Sequence, residues 1–240
     1  RELAQAVKET GSDQGVFIAM DPKTGGVLAL AIYPSFDPND YGAYPAQNRR
    51  NIAIADQYEP GSTFKIVTAS AAMQEGVVTP ETRFYDPGYI KIGGVTVRCW
   101  RAGGHGSQTF VEAVENSCNP VFADIGAERL GGERFYKHIR GYGFGEQTGI
   151  DFPGEAKGMV PVPGKVQWGE VARWANVGFG QGIGVTPLQL LSAMATIANG
   201  GVRVTPHFMK EIRDRNGRII EQYPVTGTRV LDEIVARELT

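Results

Sequence analysis

The stretch EPGSTFKIVTASAAM, residues 59–73, sets one lysine in a run of small and apolar side chains. An unpaired ammonium is expensive to bury, so a lysine in such a run is exposed, paired, or held neutral for a purpose. Ser62 lies three residues before Lys65, one helical turn away on the same face. From Ser62 to Glu75 no Pro or Gly interrupts the chain, and Gly76 follows as a stop signal. The helix predicted there is apolar or small all round, at Phe64, Ile66, Val67, Ala69, Ala71, Ala72 and Met73. A helix without a polar face is a buried one, so Lys65 is expected inside. Gly61 allows a tight turn before the helix, and Ser62 falls at its N-terminus, where the dipole favours developing negative charge. As chemistry, Ser62 is a nucleophile and Lys65 its base, with a pKa lowered by burial. As plain structure, Ser62 caps the helix and Lys65 snorkels outward. This segment alone does not separate the two.

The rest of the composition narrows the choice. The chain has 240 residues, 42% hydrophobic and 21% charged, an ordinary globular profile with room for a full core. A net charge of −2 and no basic stripe argue against nucleic acid as a partner. No apolar run approaches the roughly 18 residues of a membrane span. The chain opens RELAQAV, without initiator Met or signal peptide, as a piece of a longer protein would. Cys99 and Cys118 fit neither a disulfide-rich scaffold nor a zinc cluster. His105, His138 and His207 lie far apart with no ligand spacing, so no metal and no cofactor is expected.

Around the quoted stretch the signals are mixed helix and strand. ELAQAVKET has helical spacing, and GVFIAMDPKTGGVLALAIYP reads as two strands around a turn. YIKIGGVTV alternates within a turn-rich region. At TFVE, Thr109 and Glu112 spell a capping box for a short helix. Pro120 suits the first position of another, PVFADIGAERL, with Gly131 and Gly132 as terminators. ERFYKHIR is a further short helix. Thr186, Pro187 and Gln189 repeat the capping grammar for TPLQLLSAMATIANGG. MKEIRDRNGRIIEQY reads as a hairpin with Asn216-Gly217 at its tip, and VLDEIVAREL as a last helix. The glycines of GFGQGIG lack the spacing of a dinucleotide loop and read as structural.

A second motif, NSCNP at 116–120, puts Ser117 and Asn119 between two helices. In a tight connection these two can face a cleft while Cys118 points back into the body. Taken alone it is an ordinary interhelical turn. Together with Ser62-x-x-Lys65 it resembles the active-site motifs of penicillin-binding proteins and serine β-lactamases, Ser-x-x-Lys, Ser-x-Asn and Lys-Thr-Gly. The blocks MDPKTGGVLALAIYPSFDPNDY, YEPGSTFKIVTASAAMQEGVVTP, GHGSQTFVEAVENSCNP, YGFGEQTGIDFPGE and GFGQGIGVTPLQLLSAMATIANGG are similar to consecutive blocks of a class B penicillin-binding protein transpeptidase domain of the division or sporulation type. The likeness covers residues 1–240 as one domain.

The resemblance implies an α+β fold, an antiparallel sheet with helices on both faces and the Ser62 helix buried between layers. It implies that Ser62 attacks the D-Ala-D-Ala carbonyl of a peptidoglycan stem peptide, that Lys65 takes its proton, and that Ser117 returns one to the leaving amine. Asn119 would bind substrate and Lys65, and the Ser62 N–H would supply half of an oxyanion hole. β-Lactams would acylate Ser62. The implied setting is the outer face of a bacterial membrane, with an anchor outside this sequence and membrane-embedded cell-wall synthesis partners.

The third motif departs from the pattern. Thr226-Gly227-Thr228 has Val225 where the lysine belongs, and a helix follows. The resemblance places the family's Lys-Thr-Gly beyond Thr240, so the C-terminal strands are expected from a remainder of the domain, a second chain or an omitted segment. The alternatives on the same fold are a β-lactamase, for which no Glu-x-x-Leu-Asn block supplies a deacylating base, and a β-lactam sensor. Cys99 and Cys118 are a candidate redox pair, in which a bond would twist the turn between Ser117 and Asn119; the alternative is two buried free thiols.

Overall fold

Alternation in GVFIAM and VLALAIY makes the first hairpin. In the computed structural model, which describes residues 1–165 and 169–240, strand β1 (Gly15–Met20) pairs antiparallel with β2 (Val27–Tyr33). Successive side chains point to opposite faces. Val16 and Ile18 pack on Ile54, Ile150 and Leu188. On the other face, Gly15 meets helix α1 (Glu2–Thr10) so closely that a Cβ would stand 2.6 Å from the Val7 side chain. The hairpin is therefore packed by helix α2 (Ile52–Ala55) and a later helix on one face, while α1 covers only the Gly15 end of the other and leaves Phe17 exposed.

The quoted stretch folds in two pieces, not as the single helix its residue types suggest. Gly61–Phe64 forms one 3₁₀ turn, and helix α3 runs over Lys65–Gln74. The first turn is tightened because Gly61, at φ +57°, donates its N–H to the Gly180 carbonyl at 2.9 Å. Helix α3 is buried as expected, with Lys65, Val67, Thr68, Ala69, Ser70, Ala71 and Ala72 all inside. Gly76 ends it in the left-handed conformation, where Val77 donates to Ala72 O and Gly76 to Met73 O.

Four short strands follow: β3 (Arg83–Asp86), β4 (Tyr89–Ile92), β5 (Val95–Arg98) and β6 (Gly106–Thr109). β3 pairs with β6 and β4 with β5, both antiparallel. The capping box at Thr109 and Glu112 opens α4 (Phe110–Glu115), and Pro120 stands in the first turn of α5 (Asn119–Asp124). PVFADIGAERL does not stay a regular helix to Gly131. It widens into a π-turn at Ile125–Leu130, breaks at Gly131 (φ +70°) and resumes at once as α6 (Gly131–Gly141). The cause is close packing on α7 (Glu170–Gly178), since a Cβ on Gly126 would lie 2.6 Å from the Trp174 carbonyl.

Thr186 and Gln189 cap α8 (Pro187–Ala198), the helix that covers the first hairpin. Strand β7 (Val202–Val204) precedes the hairpin of β8 (Glu211–Arg213) and β9 (Ile219–Gln222); β10 (Gly227–Arg229) returns to pair with β7, and α9 (Glu233–Glu238) follows. Helices and antiparallel strand pairs thus share one α+β fold. Among the described residues the strands associate two by two. The core gathers on α3 and α5–α8, where Phe64 stacks edge-on against Phe144 at 5.3 Å between centroids, and Phe122, Phe135, Trp174 and Leu231 complete it.

Candidate active site

Ser62 is exposed at the start of the buried α3, one turn above Lys65. Its position is set from outside the helix by the glycine-rich loop at 178–184. A Cβ on Gly180 would sit 2.0 Å from the Gly61 carbonyl, Glu59 Oε1 accepts the Gly182 N–H at 2.8 Å, and Thr68 Oγ1 donates to Gly178 O. GFGQGIG is therefore the structural brace its spacing suggests, with no room for a side chain where it touches the serine turn.

Lys65 is 4% exposed and reaches four oxygens. Its Nζ lies 2.7 Å from Ser117 O, 2.7 Å from Asn119 Oδ1, 2.8 Å from Ser117 Oγ and 3.2 Å from Ser62 Oγ. It also stands over the Phe122 ring at 5.5 Å from the centroid. The two carbonyl oxygens can only accept, so they claim two N–H bonds. The third position on nitrogen faces both hydroxyls. In the ammonium form it donates to them; in the neutral amine it is a lone pair able to accept a proton from Ser62. Burial pushes Lys65 down from 10.5 to about 8, partly opposed by the nearby thiols Cys118 and Cys99. The arrangement makes a base usable near neutral pH.

Ser117 and Asn119 come from the turn between α4 and α5. Ser117 has φ +49°, the left-handed region, and Ser117 and Cys118 donate back to Val114 O and Ala113 O. This conformation sends the side chains of 117 and 119 to Lys65 and that of Cys118 into the interior, as the sequence reading anticipates. The structure brings Ser62, Lys65, Ser117 and Asn119 into one site.

Cys99 and Cys118 are free thiols. Burial pushes Cys118 up to about 12 and raises Cys99 as well. Around them the fold assembles what spacing did not suggest: the donor atoms of Asp86, Cys99, His105 and Cys118 all lie within 4.8 Å of one another. The expectation that no histidine has metal-ligating company fails for His105: Cys99 shares its loop between β5 and β6, and Asp86 and Cys118 come from the end of β3 and the α4–α5 turn. Asp86, His105 and Gln108, which donates to Cys118 Sγ at 3.2 Å, carried no signal in the sequence.

Thr226-Gly227-Thr228 lies at the β10–β7 pair and lines a recess with Tyr142, Arg203 and Thr205, away from Ser62 and Lys65. The chain also contains a literal Lys-Thr-Gly, at 23–25. It is the turn of the first hairpin, where Thr24 Oγ1 and Lys23 N both donate to the Asp21 carboxylate.

Residues 15–240 match the family described as penicillin binding protein transpeptidase domain. The chain is 41% identical over its whole length to Stage V sporulation protein D of Bacillus subtilis, covering 37% of that protein. It is 35% identical to the penicillin-binding protein PbpB of Mycolicibacterium smegmatis, again over its whole length and 36% of the relative. The chain thus spans about a third of the curated relatives it matches. A crystal structure of penicillin binding protein 3 from Mycobacterium tuberculosis, complexed with aztreonam, superposes with a TM-score of 0.90 at 34% identity, over 99% of this chain and 52% of that one.

Proposed function

The chain belongs to the penicillin-binding protein transpeptidase domain family, and we propose that it is a serine D,D-transpeptidase that cross-links peptidoglycan stem peptides through an acyl-enzyme. One observation carries this reading: the exposed Ser62 hydroxyl lies 3.2 Å from a buried lysine nitrogen whose pKa is pushed down to about 8, at the one position, shared with Ser117 Oγ, that the two carbonyl oxygens leave free. Ser62 Oγ bonds to the carbonyl carbon of the penultimate D-Ala while its proton passes to Lys65 Nζ. The C–N bond to the terminal D-Ala breaks, and its amine takes a proton relayed from Lys65 through Ser117, 2.8 Å away. An amine from a second stem peptide then attacks the ester and frees Ser62.

Asn119 holds Lys65 through Oδ1 and offers its amide N–H to the substrate peptide. The Ser62 N–H, in the first helical turn and free of an i−4 partner, serves the developing oxyanion. The substrate lies outside the bacterial membrane, so the domain works on that side beside membrane-embedded partners. Among the described residues no helix is long and apolar enough to cross a membrane. β-Lactams imitate the D-Ala-D-Ala carbonyl and acylate Ser62.

Intact-mass spectrometry of the full-length protein after incubation with ampicillin tests the assignment. Wild type gains the mass of ampicillin and Ser62→Ala does not. A folded wild-type protein without an adduct refutes the role of Ser62.

A further inference from the structure

We propose that the recess between helix α8 and the β7–β10 pair is a binding site for a small carboxylate, with Arg203 as its cationic clamp and Ser192 as a second donor. Arg203 stands in the middle of β7 directly opposite Thr228 of β10, so both side chains rise from the same face. Thr205 and Thr226, each one residue outside the paired stretch, border the same recess. Gln189 and Ser192 of α8, three residues apart on one helix face, supply its buried wall. The space between is about 130 Å³, well beyond the ~10–15 Å³ that a single water needs.

Two of its polar groups lack partners. Ser192 is 6% exposed, and its Oγ has no hydrogen-bond partner among the described residues. A buried hydroxyl left that way is destabilising, and a ligand oxygen would relieve it. Its neighbours are already engaged. Gln189 Oε1 accepts the Thr186 N–H, Gln189 Nε2 donates to Glu146 O and Lys157 O, and the Tyr142 hydroxyl donates to Ser70 Oγ. The second group is Arg203. Its guanidinium lies against Gly143, where a Cβ would collide with Nη1. No carboxylate among the described residues comes within 4.0 Å of it. The one acid at the mouth, Glu146, pairs with Arg140 instead.

Arg140 and Glu146 cancel, which leaves Arg203 as the net charge of the recess. One positive charge matches a carboxylate, a monoanion whose two oxygens fit the parallel N–H donors of a guanidinium. A phosphate dianion would bring a second negative charge beside Glu146. Thr205, Thr226 and Thr228 carry hydroxyls that can donate to the remaining lone pairs, and Ser192 closes the inner side. The carboxylate of a free small acid and the C-terminus of a peptide share this chemistry. Thr226-Gly227-Thr228, which lacks the lysine of the family motif, thus lines an anion site whose cation comes from the neighbouring strand. Neither Ser62 nor Lys65 lines the recess, so the site stands whether or not Ser62 is a nucleophile.

The test titrates full-length protein by saturation-transfer NMR with acetate, N-acetylglycine, N-acetylglycinamide and inorganic phosphate as probes. The two acids are expected to bind, phosphate more weakly, and the uncharged amide not at all. Tighter binding of N-acetylglycine supports the site with a peptide end as its source, and tighter binding of acetate supports it with a free acid. Arg203→Met is expected to weaken carboxylate binding ~10–100-fold. Ser192→Ala is expected to weaken it about 2- to 10-fold, and without ligand to melt no lower than wild type, because the orphan hydroxyl is gone. If Arg203→Met does not fold, Arg203→Lys replaces it, keeping the charge but losing the paired donors, with a smaller loss of affinity. No binding of either acid, amide binding as tight as acid binding, phosphate binding tighter than both acids, or acid binding undiminished in the Arg203 variant each overturns the site.

Discussion

Replacing Asn119 by Asp tests the base in a way that a general loss of activity cannot mimic. The substitution keeps an oxygen 2.7 Å from Lys65 Nζ and adds a negative charge to it. In wild type, a pKa of about 8 leaves about one lysine in ten neutral at pH 7. An opposite charge this close raises the lysine pKa by about 1–3 units, so the neutral fraction at pH 7 falls about 10- to 1000-fold. The acylation rate constant is to be measured by stopped flow with a fluorescent penicillin from pH 6 to 10. Wild type is expected to accelerate through pH 8 and level off above it. In Asn119→Asp the rise moves to higher pH by the same 1–3 units, so the rate is still climbing toward the alkaline end of the range where wild type has levelled off. Loss of the amide N–H to substrate lowers the whole curve but leaves its midpoint in place. An Asn119→Asp profile that is merely lower, with its midpoint still near 8, would refute Lys65 as the base.

The same burial has a stability cost with a definite sign. Lys65 titrates near 8 when folded and near 10.5 when unfolded, so the unfolded chain holds the extra proton between those values and stability rises with pH across that window. The full penalty, about 3 kcal/mol, is present below pH 8; urea titrations of wild type and Lys65→Met at pH 7 and pH 10 should differ in slope against pH, and equal slopes would contradict the shift. Ser117→Ala removes the proton relay and is expected to slow turnover on a stem-peptide substrate about 10²–10⁴-fold with little change in melting temperature; near-normal turnover would remove Ser117 from the mechanism. Gly180→Ala places a methyl 2.0 Å from the Gly61 carbonyl at a backbone φ of +81°. It should cost about 1–3 kcal/mol and slow acylation of Ser62, and a variant as stable and as fast as wild type would show that the loop does not position the serine.

Local grammar was legible where residue types act on their neighbours. Both capping boxes, the first and last hairpins and the burial of α3 follow from side chains a few positions apart. Helix irregularity was not legible at Ile125–Leu130, because it answers to Trp174 and Gly178 on another helix. The same limit applies to the site. Ser62 and Lys65 are one turn apart, and their relation can be read from spacing. That Lys65 meets Ser117 and Asn119 came from family resemblance, since nothing local brings them together. The Asp86, Cys99, His105 and Cys118 cluster is not legible in the sequence because its members come from the end of a strand, one loop and an interhelical turn, and match no short metal motif. The 3₁₀ turn at Gly61–Phe64 likewise reflects a tertiary bond to Gly180.

The bonds from Lys65 to Ser117 and Asn119 span 52 and 54 positions of chain. Closing a loop of that length costs about 3.5 kcal/mol of chain entropy, which a single hydrogen bond does not offset. The lysine, the turn and the packing of α3 on α5 must therefore form together, late, once long-range contacts have accumulated. A half-folded molecule carries Lys65 still solvated and charged, and so without a usable base for Ser62. Covalent labelling by a β-lactam then becomes a count of molecules that have finished folding, and its time course after dilution from denaturant follows the closure of that loop.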